Sequence, residues 1–391
     1  MIFALWLLSR YNLFDPKHTM FKPSFLRKHY HPLNTIEISQ HALTANYQYL
    51  SNLSRLKVAP VLKSNAYGHG LVLTAKILDQ LNPPFFCVDS LYEAYELYKV
   101  GIKTKILIMG YVNPENLRTK KLPFSYAVYN QELVAAINKY QPHAGIHIFV
   151  DTGMHREGIS IKELPEFISL VKQFKNINIE GLMSHFAAAD KPTDPSTKKQ
   201  TKEFEDAQEI VKSLGISPKW IHIAASSGLL HHTDYKNIGN IARTGIVLYG
   251  IDPEGKNNNL KPVLQLSTTI AQIKTIQKGD KVGYDFIYTA QNDMQIGILP
   301  LGYFDGVDRR LTNKGFVKVN ETFCPIIGRV SMNITTIDLS NIQNPQVGQS
   351  VTVFSNNPED KNSISNAAKQ CDTIPYDLLV HIASTTKRNI T

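Results

Sequence analysis

From about Asn34 to Pro262 short apolar runs alternate with amphipathic helical stretches, and this rhythm limits the possible folds more than any other feature. Runs at Val58 to Leu62, Phe85 to Val88, Ile106 to Met109, Tyr126 to Val128, Gly145 to Val150, Ile179 to Met183, Trp220 to Ala224 and Ile246 to Gly250 read as strands. Ile36 to Ile38 is a further short strand at the head of the series. Helical spacing runs through His41 to Leu53, Leu71 to Leu81, Leu91 to Val100, Leu164 to Phe174 and Thr201 to Leu214. Repeated strand–helix units imply a parallel sheet, and about eight of them close into a barrel. After Pro262 the text changes to short strands separated by turns such as Lys278-Gly279-Asp280, the pattern of an all-β domain. The expected architecture is α/β: an N-terminal (β/α)8 TIM-type barrel over 34–262, then a C-terminal all-β domain over 263–391.

A chain of 391 residues is long for one core and agrees with two domains. The formal charge of +9 permits nucleic-acid binding, but the 42 basic residues are scattered. The densest run, Lys198 to Lys202, sits among acids and reads as a solvated helix face, so no nucleic-acid partner is expected. Cys87, Cys324 and Cys371 are odd in number and lack metal-ligand spacing. Reduced thiols in a cytoplasmic protein, with no metal, account for them. Met1 to Phe14 (MIFALWLLSRYNLF) is apolar but too short to span a membrane, and its basic residue follows the apolar run instead of preceding it. Residues 1–33 are expected to be an extension outside the fold, with Met20 as an alternative start.

Barrel enzymes carry their reactive groups at the carboxyl ends of the strands. Lys63 lies at such an end, in VLKSNAYGHG (61–70), and so do Asp151 to Arg156, His185 and Ser226. A lysine amine at a buried strand end loses its proton more readily, because desolvation disfavours the ammonium. It can then form a Schiff base with an aldehyde cofactor whose phosphate Tyr67 is placed to bind.

From about Asn34 to Lys387 the chain resembles the alanine racemases. The likeness rests on the Lys63 string, DTGMHREG (151–158), GLMSHFAAAD (181–190), ARTGIVLYG (242–250), VGYDFIYTA (282–290), LPLGYFDGVDRR (299–310), IGRVSMN (327–333) and TIPYDLL (373–379). It implies an enzyme that interconverts L- and D-alanine with pyridoxal 5'-phosphate (PLP), supplying D-alanine for peptidoglycan. By the same resemblance Lys63 holds PLP and works on one face of the substrate Cα. Tyr67, Ser226, Gly245, Ile246 and Tyr376 bind the phosphate, Arg243 faces the pyridine nitrogen, and His185 bonds near Arg243. Tyr284 is the base for the opposite face, reaching the barrel of a partner subunit in a homodimer. Arg156 and Met332 receive the substrate carboxylate, while Tyr303, Arg309, Arg329 and Tyr376 form the entrance and inner gate. Arg156 and His185 are expected to act as cations that lower the Tyr284 phenol.

Three positions depart from the family pattern. Phe149 stands where many relatives carry a lysine whose carbamate orients the catalytic arginine, Ala225 replaces a usual asparagine, and Asn333 a usual aspartate. Phenylalanine cannot be carbamylated, so Arg156 is expected to be held in another way and less rigidly. Two alternatives keep the lysine: a broad-specificity racemase acting on serine, lysine or other amino acids, and a PLP carrier without turnover. The carrier has no need of Tyr284 and Met332. A fold-related decarboxylase is expected to place an acid where Arg243 stands.

Overall fold

The parallel strands Phe86–Val88, Ile106–Ile108, Phe124–Val128, Ala144–Asp151, Ile177–Met183 and Trp220–His222 pair side by side in chain order. Two more close the ring: Ile241–Thr244 pairs in parallel with Lys57–Pro60, and Val61 bridges to Cys87. On the other side the Arg243 N–H donates to the Ala224 carbonyl at 3.0 Å. The result is an eight-stranded barrel. Its strands are buried on both faces, so they read as unbroken apolar runs and not as alternation. The computed structural model describes residues 31–191, 194–231, 238–255 and 257–391, and the expected N-terminal extension lies, but for its last three residues, outside them. Among the described residues no helix is long and apolar enough to cross a membrane.

The strand Thr35–Ile38 corrects one expectation. It belongs to the six-stranded sheet of the C-terminal part, antiparallel to Leu264–Thr269 and parallel to Lys387–Ile390. Its pattern explains why: Ile36 and Ile38 are fully buried while Thr35 and Glu37 are not, and such alternation suits a sheet with one buried face. That sheet therefore takes strands from both ends of the described chain. A second, three-stranded sheet joins Gln272–Ile276, Met294–Leu299 and Thr335–Asp338.

The expected strand at Ile246 to Gly250 is also corrected. Ile246–Tyr249 is a 3-10 turn, and the last barrel strand is Ile241–Thr244 just before it. Gly245, at φ −104° and ψ −102°, ends the extended backbone between them. All four residues of the turn are buried, and a short buried apolar run has no periodicity to tell helix from strand. A helix the sequence did not announce, Pro375–Val380, carries Tyr376 to the barrel mouth.

Candidate active site

A cavity of about 530 Å3 opens at the carboxyl ends of the barrel strands. Lys63, Tyr67, Arg156, His185, Ser226, Arg243, Gly245, Ile246 and Tyr376 all line it. Nine residues chosen from the sequence thus converge on one hollow of the size small-molecule sites have. Tyr284, Tyr303, Arg309, Arg329 and Met332 do not line it; they belong to the C-terminal part. Tyr284 is 66% exposed and Met332 56%. Arg329 pairs with Asp285 at 2.9 Å, next to Tyr284.

Lys63 opens an unusual turn. Ser64, Asn65, Ala66 and Tyr67 all have φ between 52° and 56°, one turn of left-handed helix built from L-residues. Each such residue costs ~1–2 kcal/mol against the right-handed form, so the surroundings must hold the turn. Gly68 continues the turn at φ 79°, and a Cβ there would meet the Leu379 carbonyl at 2.1 Å. Arg388 donates from Nε and Nη2 to the Gly68 carbonyl at 2.9 and 2.7 Å. The Lys63 side chain keeps 38% of its exposure, and its Nζ lies 3.8 Å from Asp89 Oδ1. The amine is thus half-exposed in the single chain, where the sequence argument had it desolvated.

The group of residues expected to bind a phosphate is tightly built. Tyr67 is buried, with its ring centroid 5.2 Å from that of Tyr249 and 6.0 Å from that of Tyr376. Burial raises both the Tyr67 and Tyr376 phenols, Tyr376 to about 12, so both keep their protons and can donate to an anion. The Gly245 N–H donates to Ser226 Oγ at 3.1 Å. A Cβ on Gly245 would sit 2.3 Å from the Tyr67 hydroxyl, so only glycine leaves the space open. Hydroxyls and a backbone N–H around a hollow without side chains suit a phosphate.

Behind them Arg243 is 4% exposed. Its Nη2 donates to the Ser184 carbonyl at 2.6 Å and to His185 Nδ1 at 3.1 Å, and its Nη1 to His222 Nδ1 and the His222 carbonyl. A guanidinium only donates, so both histidines offer lone pairs at Nδ1 and carry their protons on Nε2. His222 Nε2 then donates to His147 Nδ1 at 2.8 Å, deep in the barrel. Burial first, then the Arg243 charge, brings His185 down to about 3. Burial likewise takes His147 to about 3 and lowers His222 strongly. Burial draws Arg243 down to about 10, still charged near neutrality. His185 is thus neutral and cannot serve as the cation expected beside Tyr284.

These histidines make the fold acid-sensitive. Each has a folded pKa below its unfolded value of 6.5, so the unfolded chain binds protons first as pH falls. Their stabilisation is complete above pH 6.5 and is lost on acidification towards about 3. Each contributes on the order of 1.4 kcal/mol per pH unit within that window. We expect the Tm of the cofactor-free protein to fall steadily below pH 6.5, and less steeply in His147→Gln; parallel curves for the two proteins would contradict this.

Phe149 is 5% exposed and packs with Ala127, Met183 and Tyr129. Arg156 is paired instead with Glu157, Nε to Oε2 3.4 Å. The sequence reading missed Glu157, Asp89, Glu93, His147, His222 and Arg388. The spacing Ser90-x-x-Glu93, a helix-capping signature, was a signal for Glu93; none marked Arg388. Cys87, Cys324 and Cys371 are free and buried, and among the described residues no cluster of His, Cys, Asp or Glu could hold a metal.

A parallel eight-stranded barrel with a lysine and a buried arginine at its mouth, joined to a β domain, has the plan of a barrel enzyme whose reactive groups stand at the carboxyl ends of its strands. Residues 38–253 match the alanine racemase N-terminal domain and residues 263–390 its C-terminal domain. An alanine racemase from Citrifermentans bemidjiense is 34% identical over 372 residues, which cover 91% of this chain and 97% of that protein. The alanine racemase structure from Clostridium difficile 630 superposes with a TM-score of 0.86 at 27% identity, covering 92% of this chain and 96% of that one. The Bartonella henselae alanine racemase, described with covalently bound pyridoxal phosphate, gives 0.82 at 26% identity, covering 92% and 100%. The chain belongs to the alanine racemase family, and its activity is the interconversion of L- and D-alanine.

Proposed function

We propose that the racemisation uses PLP held on Lys63, that a homodimer completes each site, and that the D-alanine serves peptidoglycan synthesis in the cytoplasm. The observation that carries the cofactor reading is the cradle of Tyr67, Ser226 and Gly245, whose open space a single Cβ would fill. Its donors fit a phosphate, and Arg243 behind them fits a ring nitrogen that is to stay unprotonated. Bound there, the cofactor supplies an electron sink for the electrons of the substrate Cα–H bond.

The protein's own groups do the rest. The Lys63 amine takes or returns a proton on one face of Cα, and the Tyr284 side-chain oxygen of a second copy does so on the other. Among the described residues, Lys63 lines the cavity of its own chain while Tyr284, the other expected base, does not line it and stands exposed on the C-terminal part. Arg156, paired with Glu157, binds the substrate carboxylate together with Met332 of the partner subunit, and Tyr303, Arg309 and Arg329 line the approach.

The test has two arms. Protein incubated with PLP and reduced with borohydride should carry the pyridoxyl label on the Lys63 peptide. A chiral assay over alanine, serine and lysine should show alanine as the preferred substrate, with rates unaffected by bicarbonate because Phe149 cannot form a carbamate. A label on another lysine, or none, overturns the cofactor reading. Rates that rise with bicarbonate overturn the account of Arg156.

A further inference from the structure

The left-handed turn that carries Lys63 exposes backbone N–H groups which the barrel sheet does not reach. Those of Ser64 and Asn65 both go to one oxygen of Glu93, Oε1, at 2.6 and 3.4 Å. The other oxygen, Oε2, receives the N–H groups of Asp89 and Ser90 at 3.0 and 3.4 Å. Ser90 Oγ in turn accepts the Glu93 N–H at 3.2 Å, completing a capping box on the helix Leu91–Lys99. In an ordinary capping box the acid satisfies only the N-cap N–H. Here the same carboxylate also ties down the residue next to Lys63, joining the ends of two neighbouring barrel strands.

We propose that Glu93 is a positioning residue for Lys63. It holds the strained turn in the one conformation that aims the amine into the cavity. The argument is one of competition. A left-handed turn of four L-residues relaxes unless its N–H groups are bound where they lie, and charge-assisted bonds to a carboxylate are the strong kind. Arg388 holds the far end of the same turn through the Gly68 carbonyl, so the turn that follows the lysine is held at both ends by charged anchors drawn from different parts of the fold. A small displacement of the amine matters, because reacting groups must meet within narrow geometry.

This rests on the reading that Lys63 carries the cofactor, and the experiment separates the two ideas. Glu93→Gln and Glu93→Ala are compared with Ser90→Ala, which removes the cap hydroxyl but leaves the carboxylate on the Lys63 turn. In cofactor-free protein, hydrogen–deuterium exchange across residues 62–70 should quicken roughly tenfold or more in both Glu93 variants and stay unchanged in Ser90→Ala. In the PLP-loaded enzyme the Glu93 variants should lose about 10- to 100-fold in kcat with the KM for alanine little altered, and label Lys63 more slowly on reduction. Unchanged exchange in Glu93→Ala, or an equal kcat loss in Ser90→Ala, overturns the role of Glu93. Wild-type protein that takes no label on Lys63 overturns the cofactor reading and the positioning role with it. A labelled wild type with unaltered Glu93→Gln removes Glu93 alone.

Discussion

Mixing Lys63→Ala protein with Tyr284→Phe protein should restore racemase activity that neither has by itself. Each site in the proposed dimer takes its lysine from one copy and its phenol from the other. A mixed dimer therefore has one site with both groups and one with neither. With equal amounts and random exchange half the dimers are mixed, so recovery should approach about a quarter of wild-type activity. Alone, Tyr284→Phe should lower kcat by roughly 10²- to 10⁴-fold, the usual worth of a positioned acid or base. It should also lose exchange of the Cα hydrogen with solvent mainly when L-alanine is the substrate. The structure supports this division of labour: Lys63 lines the cavity, while Tyr284 is 66% exposed and does not. Subunit exchange verified by mass without any recovery, or a fully active Tyr284→Phe, would remove the shared site.

Arg243→Glu should lower kcat for racemisation by about 10²- to 10³-fold, the range for loss of a buried charge aimed at a reacting system. It should also release pyruvate, up to one equivalent per bound cofactor, because the amino group stays on the cofactor. Arg243, drawn to about 10, remains charged at neutral pH and has no readily given proton for a pyridine nitrogen facing it. With PLP bound as proposed, an arginine there would keep the electron sink weak and so favour return of the proton over transamination. A glutamate in that place would be able to share a proton with a ring nitrogen, which the arginine does not readily do. The four acceptors that now receive from the guanidinium, at Ser184, His185 and His222, would also lose their donor. Racemisation at the wild-type rate with no pyruvate would contradict this role.

Much of the site was legible in the sequence because barrel chemistry sits at strand ends, and apolar runs mark where strands end. Lys63, Arg156, His185 and Ser226 were placed in that way, and the structure gathers all four around one cavity. Two kinds of feature were not legible. Where the backbone leaves the common regions, residue identity gives little warning: Ser64, Asn65, Ala66 and Tyr67 are ordinary L-residues in a left-handed turn. Where a buried run is short, period gives no answer, so Ile246–Tyr249 passed for a strand. Charge states were also out of reach. His185 looked like a cation until its burial beside Arg243 was known.

Taken by itself, the order of residues determined the barrel, the appended β domain and four of the groups at the barrel mouth, Lys63, Arg156, His185 and Ser226, which follow from strand ends; Arg243, Gly245, Ile246 and Tyr376 were placed by the family resemblance. Tertiary structure alone decided that Thr35–Ile38 joins the far sheet, that Glu93 and Arg388 hold the Lys63 turn, and that three buried histidines stay neutral around one arginine. Those outcomes depend on hydrogen bonds and desolvation between residues up to 320 positions apart, which no window along the chain contains.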